Sequence, residues 1–114
     1  MRRGEIWLIN LDPTLGAEIK KTRPPIIVND DEMGILPLKV IVPITEWQDR
    51  YTIAPWMVRV DADRENGLSK SSAADAFQVR SVSEQRFVQR LGRVSPAHMH
   101  RITNALAAVL KIRS

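Results

Sequence analysis

SPAHMHRITNALAAVLK, residues Ser95 to Lys111, opens with a serine followed by a proline. A serine side chain can accept a hydrogen bond from an unpaired N–H of a helix's first turn, and proline is tolerated at the first helical position, where its missing N–H has no partner to lose. The spacing predicts an α-helix from Pro96 to about Lys111, with Met99, Ile102, Leu106, Val109 and Leu110 as its apolar stripe. Lys111 and Arg113 then sit favourably at its negative, C-terminal end. Everything ahead of this helix reads as short strands and turns.

Glu5 to Leu11, EIWLINL, alternates as a strand with Ile6 and Leu8 on one face and Trp7, Ile9 and Leu11 on the other. Ile26-Ile27-Val28 is apolar on both faces and suits a central strand, and Asn29 to Gly34 reads as a turn whose adjacent acids are those of a solvated loop. Lys39 to Thr45, KVIVPIT, is a strand whose Pro43 cannot donate to a ladder, which predicts an edge, a bulge or the strand's last turn. Trp56 to Asp61 alternates again, with Trp56, Val58 and Val60 on one face; Ala73 to Arg80 is a weaker strand because Asp75 shares a face with Ala73, Phe77 and Val79. Glu65-Asn66-Gly67 is a turn, Ser83 to Arg86 a single helical turn, and Phe87 to Val94 a strand in which Gly92 marks a bulge or a close backbone approach. Five or six strands before one closing helix predict a mainly β (α+β) fold, a small, strongly bent barrel or half-barrel with the helix packed on it.

The 114 residues predict one domain spanning 1–114 with a single modest core. No apolar run approaches the length of a membrane span, and the N-terminus turns acidic before a signal-like stretch develops, so no membrane association and a cytoplasmic setting are expected. The absence of cysteine excludes disulfides, thiolate metal sites and cysteine nucleophiles. Seventeen Lys and Arg, twelve of them Arg, against thirteen acids give a net charge of +4, which leans towards phosphate or carboxylate partners, a nucleic acid or an acidic protein.

The stretch Leu11 to Asn29, LDPTLGAEIKKTRPPIIVN, gathers Lys20, Lys21 and Arg23 just before a rigid Pro24-Pro25. Proline biases the residue before it towards extended conformation, so Arg23 is expected at the mouth of a strand, where its planar fork could clamp a phosphate; a basic surface loop with a structural arginine is the competing reading. The only histidines, His98 and His100, project about 200° apart on a helix and cannot share a metal or one phosphate. Asp61 and Asp63 at a strand end read as charged termini and not as a cation site, and no glycine-rich phosphate loop is present. Trp47, Arg50 and Tyr51 lie in a second loop, where aromatics beside arginines could stack single-stranded bases, whereas Trp56 reads as core. What remains is Arg23 with Thr45, at the ends of strands that could be neighbours, with Glu18, Lys20 and Lys21 on the loop beside them.

At these residues the sequence resembles the toxin ribonucleases of bacterial type II toxin-antitoxin modules known as MazF, PemK or Kid. The matching residues are Arg3-Gly4-Glu5-Ile6-Trp7, Asp12-Pro13, Gly16-Ala17-Glu18, Arg23-Pro24, Val42-Pro43-Ile44-Thr45, Gly67-Leu68-Ser69-Lys70 with Ser72, Gln78-Val79-Arg80, Leu91-Gly92, and Leu106. The resemblance implies an SH3-like barrel with a C-terminal helix, a homodimer, and sequence-specific cleavage of single-stranded RNA without a metal or other cofactor. It also implies an antitoxin whose acidic tail covers the RNA groove. The family's catalytic pair falls on Arg23 and Thr45, and RNA contacts are expected from Glu18, Lys20, Lys21, Gln78 and Arg80. The chain departs from the family pattern at Ile19-Lys20-Lys21-Thr22, where small residues are frequent, and at Phe77, where acids are common. Two other readings compete: a non-enzymatic toxin of the CcdB type that binds gyrase, which shares the barrel, and a plain SH3-like binding module.

Overall fold

The longest strand pairs with three of the others. The computed structural model describes residues 1–10 and 24–113. Among these, seven strands and one α-helix form: β1 (Glu5–Ile9), β2 (Pro25–Ile27), β3 (Leu38–Glu46), β4 (Met57–Val60), β5 (Ser72–Asp75), β6 (Arg80–Ser83), β7 (Phe87–Arg93) and α1 (Pro96–Leu110). The sheet is antiparallel throughout, in the order β4-β5-β3-β2-β1-β7, and β6 also pairs with β3. The predicted β-rich class with a closing helix is therefore present. The sheet does not close into a barrel: β7 pairs only with β1, and β4 only with β5, among the described strands.

β3 has β2 along one side, and along the other it passes from β6, paired at Leu38 to Ile41, to β5, paired at Ile44 to Glu46. Pro43 stands at this change of partner, buried in mid-strand, and not at an edge or a last turn. The N–H of Ile44 donates to the Pro24 carbonyl on the β2 side at 2.9 Å. Backbone groups alternate sides along a strand, so the nitrogen of Pro43 points to the other side, into the interval between β6 and β5 where no ladder bond is required.

The same alternation separates two apolar clusters. Ile6, Ile26, Val42, Ile44, Val58, Val60 and Ala74 pack with Ile102 and Ala105 beneath the helix. Ile9, Ile27, Ile41 and Val82, with Trp7 and Phe87 against them, occupy the opposite face of the sheet. Each fully buried isoleucine contributes roughly 1.5–3 kcal/mol relative to exposure. The helix starts as predicted: the Ser95 hydroxyl oxygen accepts from the His98 N–H at 3.1 Å, with Pro96 in the first turn. It ends at Lys111, which takes the left-handed conformation. Its stripe is shifted towards Ala105, and Leu110 is exposed.

The stretch Ala73 to Arg80 is not one strand. The Asp75 carboxylate accepts from the Phe77 N–H at 3.1 Å and caps a 3-10 turn, Ala76–Gln78, that divides β5 from β6. A side-chain acceptor offered to the local backbone outcompeted the ladder there. Trp56 lies outside β4 and is 37% exposed, packed edge-on against Phe77 with ring centroids 6.0 Å apart, so it is not a core residue.

The loop after β4 is locked to β7. Asn66, fully buried, accepts at Oδ1 from the N–H groups of Asp63 and Leu68 and donates from Nδ2 to the Asp61 carbonyl at 2.8 Å. Gly92 makes the close approach expected of it: a Cβ added there would lie 2.2 Å from the Glu65 carbonyl oxygen, which already accepts from the Arg93 N–H at 2.8 Å. Gly92→Ala must therefore displace backbone and is expected to cost about 2–4 kcal/mol. Thermal unfolding should show a fall in Tm of roughly 10 °C or more; an unchanged Tm would mean that the loop yields freely.

Candidate active site

Thr45 belongs to the last part of β3, where Ile44, Thr45 and Glu46 pair with Ala74, Ala73 and Ser72 of β5. Because Val42 and Ile44 point into the core under the helix, Pro43 and Thr45 point to the other face of the sheet. Thr45 is half-buried there, and no described residue hydrogen-bonds its hydroxyl. The register Pro25↔Pro43, closed by the Ile44 N–H to Pro24 carbonyl bond, brings the described start of β2 beside the residue preceding Thr45. Arg23 itself, with Glu18, Lys20 and Lys21, lies outside the described residues.

Arg80 pairs with Ile41, so it shares the face of Pro43 and Thr45, and it is exposed. Thr45 is four steps along the strand from Ile41, which places Arg80 about 13 Å along the strand from Thr45. Gln78 ends the 3-10 turn between β5 and β6, and its amide nitrogen donates to the Asp75 carboxylate at 3.0 Å. Its amide carbonyl and its second amide hydrogen stay available for recognition. The structure thus gathers Thr45 and Arg80 on one face, with Gln78 at the connection between the two strands that flank β3.

Sequence reasoning missed a second cationic group on this face. Arg59 of β4 pairs with Ala73, which pairs with Thr45, so Thr45, Ala73 and Arg59 form one cross-strand row. The Arg59 guanidinium lies 5.1 Å from the ring centroid of Trp47 and donates from Nε to Asp61 at 2.9 Å. Asp61 also accepts from the Ser71 hydroxyl at 2.8 Å. The Arg59 hydrogen bond first, and the Ser71 bond second, hold the Asp61 carboxyl below its ordinary range. Trp47 extends the β3–β5 pairing through its N–H to the Ser71 carbonyl, and it meets Tyr51 edge-on at 5.8 Å. Its indole N–H is shielded from solvent without a hydrogen-bond partner among the described residues. The signal was present in Met57-Val58-Arg59-Val60: two buried valines place the arginine between them on the opposite face.

The remaining candidates have structural roles. His98 Nδ1 lies 3.0 Å from the Ser95 hydroxyl at the start of the helix, and His100 is exposed. Asp63 accepts from the N–H groups of Glu65 and Asn66, while Asp31 accepts from the Arg3 N–H. A cavity of about 430 Å³ opens between the edge of β4 and the helix, lined by Met57, Arg101, Asn104 and Ala108 among others, and does not include Thr45.

Comparison with known proteins places the chain in a family. The profile of the family described as "PemK-like, MazF-like toxin of type II toxin-antitoxin system" matches residues 2–110. The chain belongs to this family of PemK-like and MazF-like toxins. It is similar to the endoribonuclease MazF9 of Mycobacterium tuberculosis (strain ATCC 25618 / H37Rv), 32% identical over 120 residues covering 100% of this chain and 99% of the relative. It is also similar to the endoribonuclease PemK of Escherichia coli, 33% identical over 112 residues, or 96% and 82% of the two chains. Among solved structures, an endoribonuclease in complex with its cognate antitoxin from a mycobacterial species has the same fold, with a TM-score of 0.76 at 22% identity, covering 100% of this chain and 98% of that one. Within this MazF-like fold, the face bearing Thr45 is the one that the C-terminal helix leaves uncovered. No helix of the described residues is long and apolar enough to cross a membrane.

Proposed function

We propose that residues 1–114 act as one domain, a toxin that cuts single-stranded RNA, mRNA included, at particular sequences in the bacterial cytoplasm and so halts translation and growth. The observation that carries this reading to the residues is the bond from Ile44 N–H to the Pro24 carbonyl. Arg23 is covalently joined to Pro24, and consecutive Cα atoms are about 3.8 Å apart, which is why a phosphate at Thr45 is the one assigned to its guanidinium in this reading. Glu18, Lys20 and Lys21, with Gln78 and Arg80, complete the proposed RNA contacts.

RNA supplies its own nucleophile, the 2′-hydroxyl, so the protein needs only to hold it in line with the phosphate and stabilise the charge that develops. The 2′-oxygen bonds to phosphorus, the bond from phosphorus to the 5′-oxygen breaks, the 2′-hydroxyl gives up its proton, and the departing oxygen takes one up. The Arg23 fork would donate two hydrogen bonds to the nonbridging oxygens and the Thr45 hydroxyl a third. A guanidinium, charged at any accessible pH, is a poor base, so its role here is charge stabilisation. The reading needs no metal or other cofactor.

The partner proposals rest on the family and on charge. A homodimer is supported by the open sheet edges of β4 and β7, and an acidic antitoxin segment by the net charge of +4 and by the antitoxin seated on the mycobacterial relative. A gyrase-binding toxin that cuts nothing is disfavoured, since the curated relatives are endoribonucleases. The test is incubation of the purified protein with a long RNA in EDTA. Fragments ending in 2′,3′-cyclic phosphate and 5′-hydroxyl are expected; intact RNA, or 5′-phosphate ends, would defeat the reading.

A further inference from the structure

We infer that Arg59, held on the Trp47 ring, is a positioning residue that binds a phosphate of the RNA backbone beside the one being cut. The inference rests on the proposed cleavage at Thr45. Arg59 reaches the site's row through Ala73, a methyl-bearing residue that projects no further group between the two strands on either side. Strands are spaced about 4.8 Å, which sets Arg59 about 10 Å from Thr45, across the sheet and not along it. A backbone running over Thr45 transverse to the strands would meet Arg59 next.

The side chain is prepared for that contact. One of its five N–H donors is taken by Asp61, the described residue that accepts from it, and the terminal nitrogens remain for a ligand. The group is half exposed, so a phosphate can approach it. The Trp47 ring and the Asp61 carboxylate restrain the guanidinium, and Ser71 holds the Trp47 main chain through its carbonyl and Asp61 through its hydroxyl. A long side chain already immobilised loses less freedom on binding than a mobile one. An arginine whose only task was to shield an indole would not need its outer nitrogens clear or its row shared with Thr45.

The test uses the full-length protein and an RNA made uncuttable by one 2′-deoxynucleotide at the cleavage position, with binding measured across a salt series. Arg59→Gln is expected to weaken binding about tenfold and to raise KM on cuttable RNA with kcat within about twofold, the signature of a lost charge-assisted contact away from the reacting atoms. The slope of log K against log salt should become shallower by about 0.7, the value for one phosphate contact on a single strand. Arg59→Lys should keep the slope, because the charge stays, while losing part of the affinity. Trp47→Leu, which leaves the cation without its platform, should weaken binding by a smaller factor and also keep the slope. An unchanged slope in Arg59→Gln with a wild-type Tm would overturn the inference, as would loss of kcat at unchanged KM. Weakened binding of an acidic peptide with RNA binding intact would overturn it too, assigning the residue to the antitoxin. Wild-type protein that fails to cut RNA at all would instead count against the proposed function.

Discussion

An RNA carrying a single 2′-deoxynucleotide on the 5′ side of the scissile phosphate is expected to bind normally and to stay uncut. The argument is about where the nucleophile comes from. In the ribose the 2′-oxygen is already tethered beside the phosphorus, and well-aligned tethering is worth up to about 7–11 kcal/mol of barrier over a bimolecular attack. On the protein's side, His98 serves the helix N-terminus and His100 faces solvent, so neither is placed to activate a water at Thr45. Removing one hydroxyl removes the tethered nucleophile while leaving every phosphate and base in place. Cleavage of this RNA at a rate near that of the all-ribose strand would show that water is the nucleophile, and Arg23 and Thr45 would then have to serve a hydrolytic reaction.

Arg23→Ala is expected to reduce cleavage about 10²–10³-fold, the usual loss when one donor to a developing oxyanion is removed. Folding should survive, because the residue precedes β2 and the ladder bonds of that strand are made by the backbone from Pro24 onward. Arg23→Lys should recover little of the rate: an ammonium is a point charge and cannot give two parallel hydrogen bonds to one phosphate. The control is His98→Ala combined with His100→Ala, which should stay within a few-fold of wild type. A dead histidine variant beside an active arginine variant would move the catalytic centre to the other end of the molecule.

How far the sequence could be read depended on how local each signal was. Ser95-Pro96 announced the helix because capping is settled within one turn, and the structure places the cap there. Ile26-Ile27 read as central because an apolar run on both faces needs cover on both. Asp75 was legible as a polar residue in a strand pattern, but its capping of the Phe77 N–H depends on the chain turning there, and that turn lets β6 reach β3. Pro43 read as an edge, a bulge or a last turn because one strand seen alone has no record of its partners changing halfway along it. For the site, Arg23 and Thr45 stood out through the rigid Pro24-Pro25 and through strand ends that could be neighbours, and the family's motifs then gave them a role; Arg59 could be set on a strand face from Met57-Val58-Arg59-Val60, but its row with Thr45 exists only across strands.

The pairing of β1 with β7 has a bearing on how such a toxin comes into being. Glu5 is opposite Arg93 and Ile9 is opposite Phe87, so the first strand to leave the ribosome must wait for almost the last. Contacts this distant in sequence form slowly, and a nascent chain cannot make them at all before residue 87 has been synthesised. A truncated translation product ending before β7 would therefore leave β1 with an unpaired edge, open to another strand.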